Sequence, residues 1–403
     1  MGKLKAFFIE LENSDGVFSP GQTINGKLVI ELNEEMKMRE IRWTIKGLAY
    51  VHWSESKTTG TGGNSRTETV YYTATENYFD YTEPVFGRGV EMGDKNCLPA
   101  GQHVFPFAFS LPQNIPSSFE GGVGYVRYTI KGTIDKPWKF DHTTKRPFTV
   151  ITSLDLNTQP TASHSHQNVD IKYLCCLCCK SGPIMGLLKL DRSGYVPGEA
   201  IYFNAEVQNM TTRVCKILAK LYMTTVFHTA KKSKTTHSEV AKVVYQDIRP
   251  GDTETWSGRL IVPPLPPSHL QGCRIIDPTY YLELIVDPSG PAFDLHVPVL
   301  VIIGTIPLYS VVEQYRTLHG FSAPEQPELP PTHTATPVTT NVGAAPTTNL
   351  PPPSYSECVF GKTNIREESD SEHTKGQMDF APAYVYRVFH NICHTSKWAQ
   401  FEY

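Results

Sequence analysis

The feature that most constrains the fold of this chain is that its first 310 residues state one pattern twice. In the first half, Gly16-Val17-Phe18-Ser19-Pro20-Gly21 turns into the run Thr23 to Ile30. In the second half, Gly194-Tyr195-Val196-Pro197-Gly198 turns into Ile201 to Val207. The strand after each repeats too. Ile41, Trp43 and Ile45 alternate with Arg42, Thr44 and Lys46, and Ile217, Ala219 and Leu221 alternate with Lys216, Leu218 and Lys220. A period of two is the mark of a strand with one face buried and one wet. Further on, Pro99-Ala100-Gly101 leads to Leu111-Pro112 as Pro250-Gly251 leads to Val262-Pro263, and Tyr128 to Asp135 resembles Tyr280 to Asp287. Strands recur about every ten residues between Gly, Pro, Asn and Asp, and no stretch of helical length shows a 3.6 period. The expected fold class is all-β: two tandem immunoglobulin-like β-sandwich domains from a duplication.

A chain of 403 residues with 40% apolar content exceeds one core and suffices for two. The reading divides it into a sandwich over 1–156, a polar hinge over 157–167, a second sandwich over 168–310 and a tail over 311–403. Nine prolines fall in the 33 residues from Phe321 to Pro353, with few aliphatics, so the tail is expected to be disordered.

A net charge of −3 without a basic stripe excludes nucleic acid as the expected partner. The apolar run before Glu10 is too short for a signal peptide, and Ala6 stands where a myristoylation motif needs Ser or Thr. The stretch Val297 to Ile303 is far too short to span a membrane, so any membrane association is expected to be peripheral. The chain is read as cytoplasmic, with its nine cysteines as reduced thiols and the sequon at Asn209 idle. It carries no Gly-x-Ser-x-Gly, His-Glu-x-x-His, phosphate-loop or Gly-x-Gly-x-x-Gly motif, which favours a binding protein over an enzyme, and neither cofactor nor metal is expected.

The tail holds the most informative motif, Pro352-Pro353-Ser354-Tyr355. Adjacent prolines set a polyproline II backbone and the tyrosine supplies an aromatic anchor, the chemistry of a WW-domain ligand. Pro352, Pro353 and Tyr355 are the binding candidates; Ser354 faces solvent. Some forty flexible residues ahead of the motif would span roughly 35 Å, enough to hold a bound partner near the body. A degenerate second copy, Ala381-Pro382-Ala383-Tyr384, lacks the first proline, so Pro382 and Tyr384 suit a WW groove less well.

Val17-Phe-Ser-Pro-Gly-Gln22, Ile115-Pro-Ser-Ser-Phe-Glu-Gly121, Val126-Arg-Tyr-Thr-Ile-Lys131, Asp135-Lys-Pro-Trp-Lys-Phe-Asp141, Leu154-Asp-Leu-Asn157 and Cys178-Cys-Lys-Ser-Gly-Pro183 resemble the alpha-arrestins over roughly residues 1 to 310, most of all the arrestin domain-containing protein 3 group. The resemblance implies an adaptor at the plasma membrane and endosomes. Its body would engage membrane receptors or transporters as cargo, and its PPxY tail would recruit Nedd4-type HECT ubiquitin ligases for endocytosis and lysosomal sorting. A ligase-independent signalling scaffold is the alternative. Thr253 replaces the cysteine that the thioredoxin-interacting member places three residues before the tryptophan matched by Trp256. Only Ser322-Ala-Pro324 remains of the budding-associated Pro-Ser-Ala-Pro, and the aromatic stretch Tyr384 to Tyr403, ending Trp398-Ala-Gln-Phe-Glu-Tyr403, lies outside the resemblance.

Other residue groups leave several readings open. Cys175, Cys176, Cys178 and Cys179 suit buried strand positions, S-palmitoylation or, with help from elsewhere, a metal. His164 and His166 fit a solvated linker better than a metal site. Glu367 to Glu372 suits either an acidic kinase site at Ser369 and Ser371 or a merely charged stretch. Lys3, Lys5, Lys131, Lys136 and Lys139 fit either solubilising charge or a phosphate-binding patch.

Overall fold

The computed structural model describes residues 3–59, 65–87, 97–138, 140–176, 179–318, 354–367 and 370–387. The first half supplies β1 (Leu4–Leu11), β2 (Val17–Phe18), β3 (Thr23–Leu32), β4 (Met36–Lys37), β5 (Glu40–Thr59), β6 (Arg66–Gly87), β7 (Cys97–Leu98), β8 (Gly101–Ser110), β9 (Phe119–Glu120), β10 (Gly124–Asp135) and β11 (His142–Val150). The second supplies β12 (His166–Cys176), β13 (Cys179–Leu190), β14 (Gly194–Tyr195), β15 (Ala200–Asn209), β16 (Cys215–His228), β17 (Ser233–Val244), β18 (Thr253–Ile261), β19 (Ile276–Pro288) and β20 (Leu295–Ile303).

The duplication is visible in the strand order. In the first sandwich β1-β3-β8 faces β2-β11-β10-β5-β6; in the second β12-β13-β15-β18 faces β14-β20-β19-β16-β17. In each, a two-residue strand beside the Pro-Gly turn joins a long strand in parallel, β2 on β11 and β14 on β20. The alternation sets the inner faces: Ile41, Trp43, Ile45, Ala49 and Val51 of β5, and Ile217, Ala219, Leu221 and Met223 of β16, are all buried. Trp43 stacks on Phe107 at 4.8 Å between ring centres. The two inner corners match atom for atom. The Tyr128 hydroxyl donates to Pro116 O at 2.7 Å and the Tyr280 hydroxyl to Pro266 O at 2.8 Å. The Ser118 and Ser268 hydroxyls each accept a backbone N–H, from Val150 and Ile303, at 2.9 Å.

Gly21 and Gly198 of the paired turns sit at φ +80° and +97°, the left-handed region open to glycine without strain.

The segment 157–167 is more fixed than a polar hinge. Asp155 caps a 3₁₀ turn over Leu156–Thr158, Ala162 is fully buried, and His166 is already a β12 residue. Asn157 donates to Pro307 O and accepts from the Tyr309 N–H, capping a helix α1 (Tyr309–Leu318). This is the one α-helix among the described residues of an otherwise all-β fold. Leu308, Val311, Val312 and Tyr315 follow helical spacing and are buried, Leu308 and Val311 in a cluster with Leu156, Ala162, Val196 and Ile302, a run too short to stand out before Pro-rich sequence. The halves also touch directly. Phe119 meets Phe227 at 6.3 Å, Lys232 pairs with Glu55 at 2.6 Å, and the Arg274 N–H donates to Glu76 at 3.1 Å.

Candidate functional site

Beyond α1, the described part of the tail comprises residues 354–367 and 370–387. These form β21 (Ser354–Glu357), β22 (Thr363–Asn364), β23 (Thr374–Gly376), β24 (Asp379–Phe380) and β25 (Ala383–Tyr386). β21 pairs antiparallel with β25 and β22 with β24, so the segment is a long hairpin. Its far end adds β23 in parallel to the edge of β11, Thr374 beside Thr143 and Gly376 beside Lys145. A sheet edge offers unpaired backbone groups, and here a strand of the same chain covers one.

Few apolar residues hold it, and they are deeply placed. Ile365 is fully buried, and Phe380 and Tyr384 nearly so. The Tyr384 hydroxyl donates to Ser118 O at 2.8 Å, and the Ala383 N–H donates to Thr149 Oγ1. Asp370, its side chain wholly enclosed, accepts from Lys131 and Lys145, each at 3.0 Å, and Lys145 also donates to Ile365 O. Burial alone would raise the Asp370 pKa; the Glu367 N–H bond and the two lysines outweigh it and hold the carboxyl below its usual range. The hairpin also reaches the second sandwich. The Val359 N–H donates to Pro264 O and the Arg387 N–H to Pro197 O, beside the Pro197-Gly198 turn. There Glu199, buried and paired with Arg192 at 2.8 Å, has its pKa pushed up by burial against the pull of Arg192 and Arg387.

Within this frame the WW-ligand candidates separate. Pro352 and Pro353 lie outside the described residues. Tyr355 pairs with Val385 in the β21–β25 ladder, is 43% exposed, and lines a groove with Phe18, Ile151, Ile306, Val385 and Arg387. Ser354 Oγ donates to Tyr386 O at 2.9 Å. The degenerate copy is corrected: Tyr384 is a buried anchor bonded to the first sandwich, and Ala381 is buried with it, so Pro382 and Tyr384 present no ring to a WW groove in this conformation.

The remaining candidates scatter. The backbone sets Cys175 and Cys176 opposite Lys180 and Cys179 at the β12–β13 hairpin end; Cys178 and the four side chains lie outside the described residues. His164 and His166 are exposed, and among the described residues no three His, Cys, Asp or Glu converge as a metal site. Of the five lysines, Lys5 pairs with Glu31, Lys136 meets His142, Lys131 is held by Asp370, Lys3 donates to Glu35 O, and Lys139 lies outside the described residues. Trp256 packs between Phe203 and Tyr245 with Thr253 at the start of β18. No helix among the described residues is long and apolar enough to cross a membrane.

Two family models match this chain. Residues 7–157 match the N-terminal domain of arrestin (or S-antigen), and residues 180–308 match its C-terminal domain. Among curated proteins, arrestin domain-containing protein 17 of Caenorhabditis elegans is 31% identical over 316 residues, 77% of this chain and 72% of that protein. Arrestin domain-containing protein 4 of Mus musculus is 30% identical over 350 residues, 82% of each chain. Arrestin domain-containing protein 1 of Homo sapiens is 27% identical over 302 residues, 75% of this chain and 65% of that protein.

Proposed function

The chain belongs to the arrestin family, in its alpha-arrestin branch, and from that premise we propose an adaptor that recruits Nedd4-type HECT ubiquitin ligases to membrane receptors or transporters. The observation that carries the proposal is the sequence Pro352-Pro353-Ser354-Tyr355 joined to an arrestin body, with the Tyr355 ring partly open to solvent. Pro352 and Pro353 pack between the ring faces of a WW domain, and Tyr355 fills the neighbouring pocket. A single such motif binds at about −8 kcal/mol, a micromolar contact. Tethering to cargo on the arrestin body raises the effective concentration of the ligase. The bound ligase ubiquitinates the cargo and commits it to endocytosis and lysosomal sorting. The protein works in the cytoplasm, held peripherally at plasma membrane and endosomes, and performs no catalysis itself.

The test is cargo ubiquitination in cells carrying the wild type or a Pro353→Ala, Tyr355→Ala variant. Loss of the ubiquitin signal with the variant supports recruitment. An unchanged signal, with cargo still bound, favours a ligase-independent scaffold.

A further inference from the structure

We propose that the tail hairpin masks Tyr355 of its own ligase motif, so that WW capture of this residue requires β21 to peel from β25. The inference rests on the WW-ligand reading and concerns how that site is regulated. WW recognition docks an extended polyproline II segment into an aromatic-lined groove, so the tyrosine ring and the backbone must both be free to enter it. Tyr355 meets neither demand while docked. Its backbone lies in the ladder between Ser354↔Tyr386 and Glu357↔Ala383, and the residue, 43% exposed, lines the groove of Phe18, Ile151 and Ile306.

The mask is fastened at points that do not belong to the motif. Tyr384, opposite Ser356, fixes β25 through its bond to Ser118 O. Cys358, directly after β21, is buried, and its N–H donates to Pro382 O at 2.9 Å. Asp370 ties the far end of the hairpin to Lys131 and Lys145. Removing one of these fastenings raises the fraction of molecules with a free β21. An affinity limited by a binding-competent fraction rises in proportion to that fraction.

Cys358 supplies an independent reporter. Burial pushes its thiol up to about 11, so in the docked hairpin it is both enclosed and protonated at neutral pH. Release of β21 from β25 exposes it to alkylation.

The experiment titrates a WW domain of a Nedd4-type ligase against three ligands: a synthetic peptide of residues 347–360, the full chain, and the full chain with Tyr384→Ala. Cys358 labelling by iodoacetamide is followed by mass spectrometry in the last two, and Asp370→Asn serves as a second variant at the other end of the hairpin. Masking predicts that the full chain binds about tenfold or more weaker than the peptide, that both variants approach the peptide, and that Cys358 labels faster in both. Equal affinity of peptide and wild-type chain overturns the inference. So does rapid Cys358 labelling in the wild type. A peptide that does not bind refutes the WW reading instead, while slow Cys358 labelling that each variant accelerates still establishes the docked hairpin.

Discussion

Tyr128 and Tyr280 show how single residues carry the duplication. Each buries its ring in one sandwich and spends its hydroxyl on a carbonyl twelve or fourteen residues earlier, Pro116 O or Pro266 O. Changing either to Phe strands a buried carbonyl, at a cost of about 1–3 kcal/mol. Urea unfolding of Tyr128→Phe and Tyr280→Phe should show comparable losses, because the corners are equivalent. Asp370 makes a different prediction. Its docked-state pKa is below the ordinary 3.8, so docking favours the carboxylate. The contribution is fully present above the free-chain pKa and is lost as pH falls through the lowered docked value. Cys358 should therefore stay shielded at pH 5 and become accessible only in strong acid, whereas in Asp370→Asn its shielding should show no such acid step. A thiol-disulfide reagent that works at acid pH reads both.

At the scale of elements, what a sequence shows depends on how local the pattern is. The strands were legible because alternation in β5 and β16 repeats over many residues, and the Pro-Gly turns mark their starts. Helix α1 carried only two turns of spacing in Leu308, Val311, Val312 and Tyr315, and its cap, Asn157, lies 152 residues before Tyr309. The tail hairpin was the least legible. Its anchors, Ile365, Asp370, Phe380 and Tyr384, are sparse in a polar stretch, and what they need is elsewhere: Lys131, Lys145 and Ser118. One local signal was available, Gly376. It sits at φ +106°, and a Cβ there would run into the Lys145 carbonyl. Gly376→Ala should weaken β23 docking by about 1–3 kcal/mol while sparing both sandwiches. Trypsin cleavage after Lys375 should quicken in that variant, with the body's unfolding midpoint unchanged.

At the scale of the whole molecule, two copies of one sandwich share a continuous core, and the tail crosses back over both. It adds a strand beside β11 in the first and touches Pro264 and Pro197 in the second. The candidate site was half legible. Pro352, Pro353 and Tyr355 stand out as WW-ligand candidates from chemistry alone. The role of Tyr384 does not, because a motif that has lost a proline looks like a weak copy until its ring is seen to be buried. On the proposed reading, the arrestin body would offer the cargo contacts and the proposed ligase motif would sit on a tail that the body itself can hold. The central claim is recruitment through that motif. The most direct measurement is co-precipitation of a Nedd4-type ligase with the full-length wild type and with a Pro353→Ala, Tyr355→Ala variant. The account predicts that the ligase accompanies the wild type and is lost from the variant. Ligase retained at wild-type level by the variant would contradict it and place the contact on the folded body.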